Sequence, residues 1–220
     1  MSNGIKVKKR NGRGTEALNL EKMHKMVDEA TQGLAGVSAS QVEIQSGIQF
    51  YDGITTAEIQ EILIKSASDL IDLEHPNYQF VAARLLLFSV RKSLYGRSRE
   101  LPELEDHIVK CVAQEVYDGD IYSKYSKEDI EKANGYIDHN RDFLFTYAGL
   151  RQVVDKYLVQ DRSTGQVYET PQFMYMMIAL TIFAEYPKEK RLNYVRRYYD
   201  AISRHRINIP TPIMAGVRTP

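Results

Sequence analysis

Apolar residues recur at helical spacing in the N-terminal part of the chain, and this pattern constrains the fold more than any other feature. The stretches are separated by caps and glycines, which end helices. A helix of this length cannot bury its apolar face alone, so the series predicts a small helical bundle. The apolar positions, helix by helix, are Leu20, Met23, Val27, Ala30 and Leu34; then Val42–Ile48; then Ile59, Ile62, Leu63, Ala67, Leu70 and Ile71; then Phe80, Ala83, Leu87, Val90 and Leu94.

Local signals predict where these helices begin and end. Ser40 with Glu43 matches a capping box before the second helix, and Thr55 with Glu58 matches another before the third. Gly96 is placed to end the fourth helix.

A β-hairpin is expected before the first helix. Ile5 and Val7 alternate with lysines, Asn11-Gly12 supplies turn residues, and a shorter return strand runs through Thr15, Ala17 and Leu18. We therefore expect a mainly α domain over residues 1–95, a helical bundle capped by a hairpin flap.

Residues 97–102 are interpreted as a linker between two domains, and a second mainly helical region is predicted over residues 96–220. Its expected elements are helices over 104–116, from Ser126, over 142–157, 171–186 and 189–204, with a hairpin over 158–168. The proline-rich tail from Ile209 is expected to be extended, and to belong to a chain that continues.

Composition excludes several classes of protein. Lys plus Arg and Asp plus Glu are balanced at 29 each, so we expect neither nucleic acid nor a membrane surface as a partner. The apolar run Phe173–Phe183 is about half the ~20 residues of a membrane span and predicts a buried helix, with Met174, Met176 and Met177 as core residues. Cys111 is the only cysteine, which fits a cytoplasmic protein and excludes two-thiol chemistry within this chain.

One cluster suggests an anion site. Lys9 and Arg10 lie on the hairpin and Lys22 in the first turn of the next helix, where the helix dipole is already positive. A polyphosphate between them would relieve this concentration of positive charge, and Glu16 and Asn19 could bind a base edge or ribose hydroxyls. A solvated charged face explains the same spacing, so both interpretations stay open.

Other candidates have structural explanations. Thr56 is compatible with a helix cap and Lys92 with a solvated helix end. The run Asp138–Asp142 is interpreted as a loop and helix cap rather than a metal site, and Tyr194–Tyr199 as part of an amphipathic helix.

Taken together, the motifs resemble the large subunit of class I ribonucleoside-diphosphate reductases, with an ATP cone at the N-terminus. The cone resemblance is carried by residues 7–12, Glu16, 19–23, 48–54, Thr56 and 80–92. The second half is similar to the helical region that leads into the family's catalytic barrel, at residues 156–160, 164–165, 170–173, 210–214 and 216–220.

The resemblance implies a role for each matching residue. Phosphates of ATP or dATP, with Mg²⁺, would meet Lys9, Arg10, Lys22 and Lys92. The adenine would face Glu16 and Asn19 with Val7 and Met23 beside it. The backbone of residues 16–22 would wrap the nucleotide; the set also includes Ala17, Leu18, Leu20, Glu21 and Thr56, and Thr211 matches a threonine of the substrate site.

The family's catalytic cysteines would lie outside this chain, which is expected to be inactive alone. Implied partners are the remainder of the large subunit, a radical-generating small subunit and the nucleotide effectors. Gln60 and Ser89 replace histidines found in many relatives. A helical scaffold with a degenerate cone is therefore one alternative. A free-standing nucleotide-sensing regulator is another, although one cysteine cannot build the zinc ribbon of such proteins.

Overall fold

The computed structural model describes residues 5–9 and 14–220, which divide into two compact units. The first contains the described residues up to Ser89 together with Phe145–Arg151, and the second contains Val90–Leu144 and Gln152–Pro220. The fold is mainly helical, as predicted. The predicted hairpin turn, Asn11-Gly12, lies outside the described residues.

The first unit contains the predicted hairpin and helices. Its strands pair antiparallel with Val7 opposite Glu16. The elements are β1 (Lys6–Lys8), β2 (Thr15–Ala17), α1 (Leu20–Thr31), α2 (Ala39–Gly47), α3 (Thr56–Asp69) and α4 (Tyr78–Tyr95), the last of which spans the boundary with the second unit.

The predicted capping box of α3 is confirmed, and the one predicted for α2 is wrong. Thr55 and Glu58 form both hydrogen bonds of a capping box. At α2 the N-cap is Ser38, whose hydroxyl accepts from the backbone N–H of Gln41. Glu43 is unavailable to a box at Ser40 because its carboxylate binds His24 of α1 at 2.8 Å.

Helix α4 is more deeply buried than its predicted stripe implied. Within the first unit, Val81, Ala82 and Leu85 are fully buried alongside the predicted Ala83 and Leu87. A helix that is buried around most of its circumference lies at the centre of its unit rather than on the surface.

A side chain from α4 also completes the end of α1. The last turn of α1 carries no basic residue of its own. Arg84 donates from Nη1 to the carbonyl oxygens of Ala30 and Gln32, at 3.1 and 2.8 Å. Because the final carbonyls of a helix have no partner within it, this guanidinium is a cap supplied by another helix.

The second unit is built around a fully buried helix. Its elements are α5 (Leu104–Ala113), α6 (Ile121–Lys124), α7 (Lys127–Asn134), a 3₁₀ helix (His139–Leu144), α8 (Tyr147–Lys156), β3 (Gln160–Asp161), β4 (Gln166–Val167), α9 (Pro171–Ile182), α10 (Lys188–Ser203) and α11 (Thr211–Gly216); α8 begins among residues of the first unit. Every residue from Pro171 to Leu180 is buried, which confirms the predicted core helix and its methionines. Nowhere in the described ranges is a helix both long and apolar enough to traverse a bilayer.

The predicted helix start at Asp142 is wrong. This residue lies in the 3₁₀ helix, and α8 begins only at Tyr147. The Asp142 carboxylate is buried, pairs with Arg91 at 2.8 Å and accepts from Gln172 Nε2 at 2.9 Å. Asp142, which the local sequence indicated as a helix cap, therefore forms a buried ion pair with a residue that is distant in sequence.

The tail is also not extended throughout, since Thr211–Gly216 forms α11. Pro212 lies in its first turn, where a missing N–H costs nothing and the fixed φ suits a helix. Further on, Arg218 donates to the Met214 carbonyl at 2.7 Å and so holds the end of the turn.

Candidate functional site

The hairpin is attached to the loop that precedes α3. The Lys8 backbone N–H donates to the Ile54 carbonyl at 2.8 Å, and the Gly53 N–H donates to the Lys6 carbonyl at 2.8 Å. Gly53 has a φ of +86°, which a residue with a side chain rarely adopts. Strand β1 is therefore hydrogen-bonded on both edges, and Lys8, the residue before Lys9, pairs with Thr55, the N-cap of α3.

The predicted cation Lys9 has an acidic partner in this structure. Its ammonium lies 3.2 Å from the Glu16 carboxylate across the hairpin. The two side chains are 46% and 43% exposed. An exposed pair of this kind contributes only about 0–1 kcal/mol, so the lysine can exchange partners at little cost. Arg10, the other predicted hairpin cation, lies outside the described residues.

Asn19 and Lys22 lie together at the start of α1. Asn19 is the N-cap, and its Oδ1 accepts from the Lys22 backbone N–H at 2.8 Å. The side chain of Lys22 is exposed in the first turn. Since Asn19 already uses its oxygen as a cap, its amide NH₂ is the group that remains suited to a ligand.

A residue on the same face of α1 as Lys22 contacts α3. Lys22 and Met26 are one helical turn apart, and the Met26 sulfur lies 3.8 Å from Gln60 Nε2 on α3. Thr56 lies one turn before Gln60, which is 2% exposed. Lys22 and Thr56 thus lie in the first turns of the two helices that contact each other at Met26 and Gln60.

The loop before α3 is ordered by a shared carboxylate. Glu58 accepts from the Thr55 backbone N–H and hydroxyl at 2.8 and 2.7 Å, and from the Tyr51 hydroxyl at 2.8 Å. These hydrogen bonds, those from Thr55 foremost, lower the pKa of Glu58 below its usual value. Thr55 is consequently the cap, and Thr56 is the first helical residue with its side chain half-buried.

A cavity of about 810 Å³ opens in the same unit, lined by residues before and after the hairpin strands and by residues of α1 and α2. Its polar wall is the His24–Glu43 pair, and the rest is mainly apolar. Neither Lys9 nor Lys22 lines it. The lining includes the predicted Leu18, Leu20, Glu21 and Met23, together with Ile5, His24, Glu43, Ile44, Gly47 and Phe50.

The remaining predicted residues are divided between the two units. Lys92 is exposed in the last turn of α4, and Ser89 on the same helix is 9% exposed. Thr211 is exposed as the first residue of α11, with its hydroxyl 3.4 Å from that of Tyr157. Val7 is buried in the core of the first unit, whereas Ala17 is exposed on β2.

Sequence reasoning missed a buried polar cluster in the second unit. Arg218 and Glu169 form an ion pair with both side chains fully buried. Glu169 also accepts from the Tyr117 hydroxyl at 2.5 Å, and the same hydroxyl lies 3.0 Å from His107 Nε2. These residues are far apart in sequence and carry no shared motif, so no local signal could have identified them.

Beside this ion pair, His107 and Cys111, whose sulfur lies 3.8 Å from His107 Nε2, are held in their neutral forms. Burial lowers the pKa of His107 to about 3, and Lys110 acts in the same direction. Burial raises the pKa of the Cys111 thiol to about 12, assisted by Glu169. A thiol that remains protonated is a poor nucleophile and a poor metal ligand. In the described ranges, no group of three or more acidic, histidine or cysteine residues could hold a metal ion.

Comparison with known proteins matches both halves of the chain to families. Residues 5–93 match the ATP cone domain, and residues 143–220 match the ribonucleotide reductase all-alpha domain. The chain therefore contains an ATP cone domain followed by a ribonucleotide reductase all-alpha domain.

Individual relatives are similar to this chain over its whole length. It is 50% identical, over all 220 residues, to ribonucleoside-diphosphate reductase 1 subunit alpha of Escherichia coli, and 49% identical over the same length to the subunit alpha of Haemophilus influenzae. The subunit alpha of Enterobacteria phage T4 is 44% identical over 94% of this chain. The chain is homologous to the N-terminal region of these alpha subunits, and it spans 29% of the length of the two bacterial relatives and 27% of the phage one.

Proposed function

We propose that this chain is the regulatory N-terminal part of a ribonucleoside-diphosphate reductase alpha subunit, and that its cone binds ATP and dATP as effectors of overall activity. The match of residues 5–93 to the ATP cone carries the proposal. Support comes from the positions of three predicted residues in the first unit: Lys9 directly follows β1, Lys22 lies in the first turn of α1, and Thr56 is the first residue of α3.

The phosphates would be bound by Lys9 and Lys22. Both ammonium groups belong to exposed side chains, and the N-terminal N–H groups of α1 add a favourable dipole for an anion. The resemblance extends the phosphate role to Arg10 and Lys92. Mg²⁺ would accompany the nucleotide as a phosphate ligand, since it is usually bound through phosphates and few protein groups.

The adenine would be recognised by Glu16 and Asn19. A carboxylate accepts from the 6-amino group of adenine, and an amide NH₂ donates to a ring nitrogen. Thr56 would close the opposite side of the nucleotide at the start of α3. Val7 and Met23 would pack near the base, and the backbone of residues 16–22 would follow the ligand.

ATP would permit activity and dATP would suppress it. A ligand changes such an equilibrium only through different affinities for the two states, so the two nucleotides must favour different subunit arrangements. The chemistry would reside in the remainder of the alpha subunit, because reduction by a dithiol needs two close thiols and this chain has one cysteine. A small subunit would supply the radical, and Thr211 would contact the ribonucleoside diphosphate.

Calorimetry with ATP and dATP tests the cone assignment. Each charge-assisted hydrogen bond contributes about 1.5–3 kcal/mol, so Lys9→Ala/Lys22→Ala should weaken both ligands by about a hundredfold or more. The matched control is Lys65→Ala/Lys127→Ala, which removes two exposed lysines whose carboxylate partners, Asp69 and Glu105, lie elsewhere.

Two results would contradict the proposal. The first is that the unmodified chain binds neither ATP nor dATP, which would favour the alternative of a helical scaffold with a degenerate cone. The observation that supports this alternative is that Gln60 and Ser89, at positions where the family resemblance implies histidines, are buried. The second is equal weakening by both double variants, which would mean that the lysines contribute only general charge.

A further inference from the structure

We propose that the Lys9–Glu16 ion pair makes phosphate binding in the cone conditional on the identity of the base. The inference rests on the proposed function and goes further, because it gives Glu16 two alternating partners. The Glu16 carboxylate lies 3.2 Å from the Lys9 ammonium. A nucleotide must separate the two before either can be used.

The geometry of the hairpin makes this exchange local. Glu16 lies opposite Val7 in the strand pairing, and Lys9 comes two residues after Val7, directly after the end of β1. The Lys9 backbone N–H donates to the Gly14 carbonyl at 3.1 Å, which holds its backbone at the end of the ladder. Only the two side chains need to turn, and both are more than two-fifths exposed, so no packed core is disturbed.

The separation leaves two charges to be compensated at once. The phosphates compensate Lys9, but a carboxylate deprived of its lysine beside an incoming polyanion is unfavourable unless it gains a donor. The 6-amino group of adenine is such a donor. A triphosphate without that amino group would therefore bind Lys9 and leave the Glu16 carboxylate without a new hydrogen-bond donor.

Bound adenine nucleotide would thus convert one ion pair into two charge-assisted contacts, Lys9 to phosphate and adenine to Glu16. Glu16 is on this view a specificity-determining residue for the phosphate end of the ligand as well as for the base. A carboxylate that contacts only the base would leave the binding of base-free phosphate unchanged when it is removed.

Three ligands distinguish these cases in calorimetry on the 220-residue chain: ATP, purine riboside 5′-triphosphate, which lacks the 6-amino group, and inorganic tripolyphosphate. The variant is Glu16→Gln, which keeps the shape of the side chain and releases Lys9. The control is Asp69→Asn, which removes one carboxylate that is also 43% exposed and also paired with a lysine, Lys65.

The expected result is a change of opposite sign for the two kinds of ligand. Glu16→Gln should bind tripolyphosphate and the purine analogue up to about fivefold more tightly, the upper limit for releasing an exposed ion pair. It should bind ATP more weakly, by about twofold or more, because the loss of a charged acceptor, about tenfold or more, outweighs the gain of up to about fivefold from releasing Lys9. Asp69→Asn should leave all three affinities as in the unmodified chain.

Unchanged affinity of Glu16→Gln for tripolyphosphate and the analogue would overturn the coupling, even if ATP binds more weakly. An equal gain in Asp69→Asn would overturn it as well, since the gain would then reflect net charge. Absence of ATP binding to the unmodified chain would instead refute the proposed function itself. The unmodified chain thus tests the function, and the variant tests the coupling.

Discussion

Replacing Glu169 with glutamine is expected to destabilise the second unit strongly. Both members of the Glu169–Arg218 pair have fully buried side chains, so water cannot screen the guanidinium once its partner is neutral. Arg218 would keep its hydrogen bonds to the carbonyls of Tyr157 and Met214, at 2.9 and 2.7 Å, but these groups carry no compensating charge. Loss of one partner of a buried pair typically costs about 3–5 kcal/mol.

Urea unfolding followed by far-ultraviolet circular dichroism measures this change, since the chain has no tryptophan to report by fluorescence. The matched control is Glu185→Gln. Its carboxylate is 80% exposed beside Lys124, and its loss should cost at most about 1 kcal/mol. Glu169→Gln/Arg218→Met should recover part of the stability, because it leaves no uncompensated charge. A cost for Glu169→Gln no larger than that of Glu185→Gln would refute the reasoning.

Two further predictions concern stability. Thr55→Ala should lower the free energy of unfolding by about 1 kcal/mol, because it removes the hydroxyl of the α3 capping box; an unchanged urea midpoint would contradict this. His107 has a lowered pKa of about 3, so the unfolded chain binds its proton first, and His107 should reduce stability as pH falls from about 6.5 towards 3. Stability profiles of the unmodified chain and His107→Gln should converge or cross over that interval, and parallel profiles would show that His107 does not titrate differently on folding.

Sequence alone predicted those parts of the fold that depend on neighbouring residues. The Thr55–Glu58 capping box is confirmed because both hydrogen bonds join residues three positions apart. The predicted box at Ser40 is wrong because Glu43 binds His24, nineteen positions away. The same holds for Asp142, whose partner Arg91 comes from another helix. Local patterns do not record which competing partner a charged side chain will find in the folded chain.

The candidate site shows the same limit. The sequence identified Lys9, Glu16 and Lys22 as one cluster, since their charges and positions are visible in the motif. It treated Lys9 and Glu16 as separate ligands for phosphate and base, whereas the structure joins them as an ion pair. Cross-strand partners depend on the register of the hairpin, and hydrophobic alternation over a few residues does not specify that register. The phosphate and base roles stay predictions.

Because β1 is hydrogen-bonded on both edges, its displacement is less favourable than that of the other strand of the hairpin. One edge of β1 is hydrogen-bonded to β2 and the other to residues 53–54, so displacing it would break both sets of bonds. Strand β2, whose residues Thr15–Ala17 are all exposed, is the outer and more easily displaced member. A displacement of β2 would therefore move Glu16, while the backbone of Lys6–Lys8 stays hydrogen-bonded to residues 53–54.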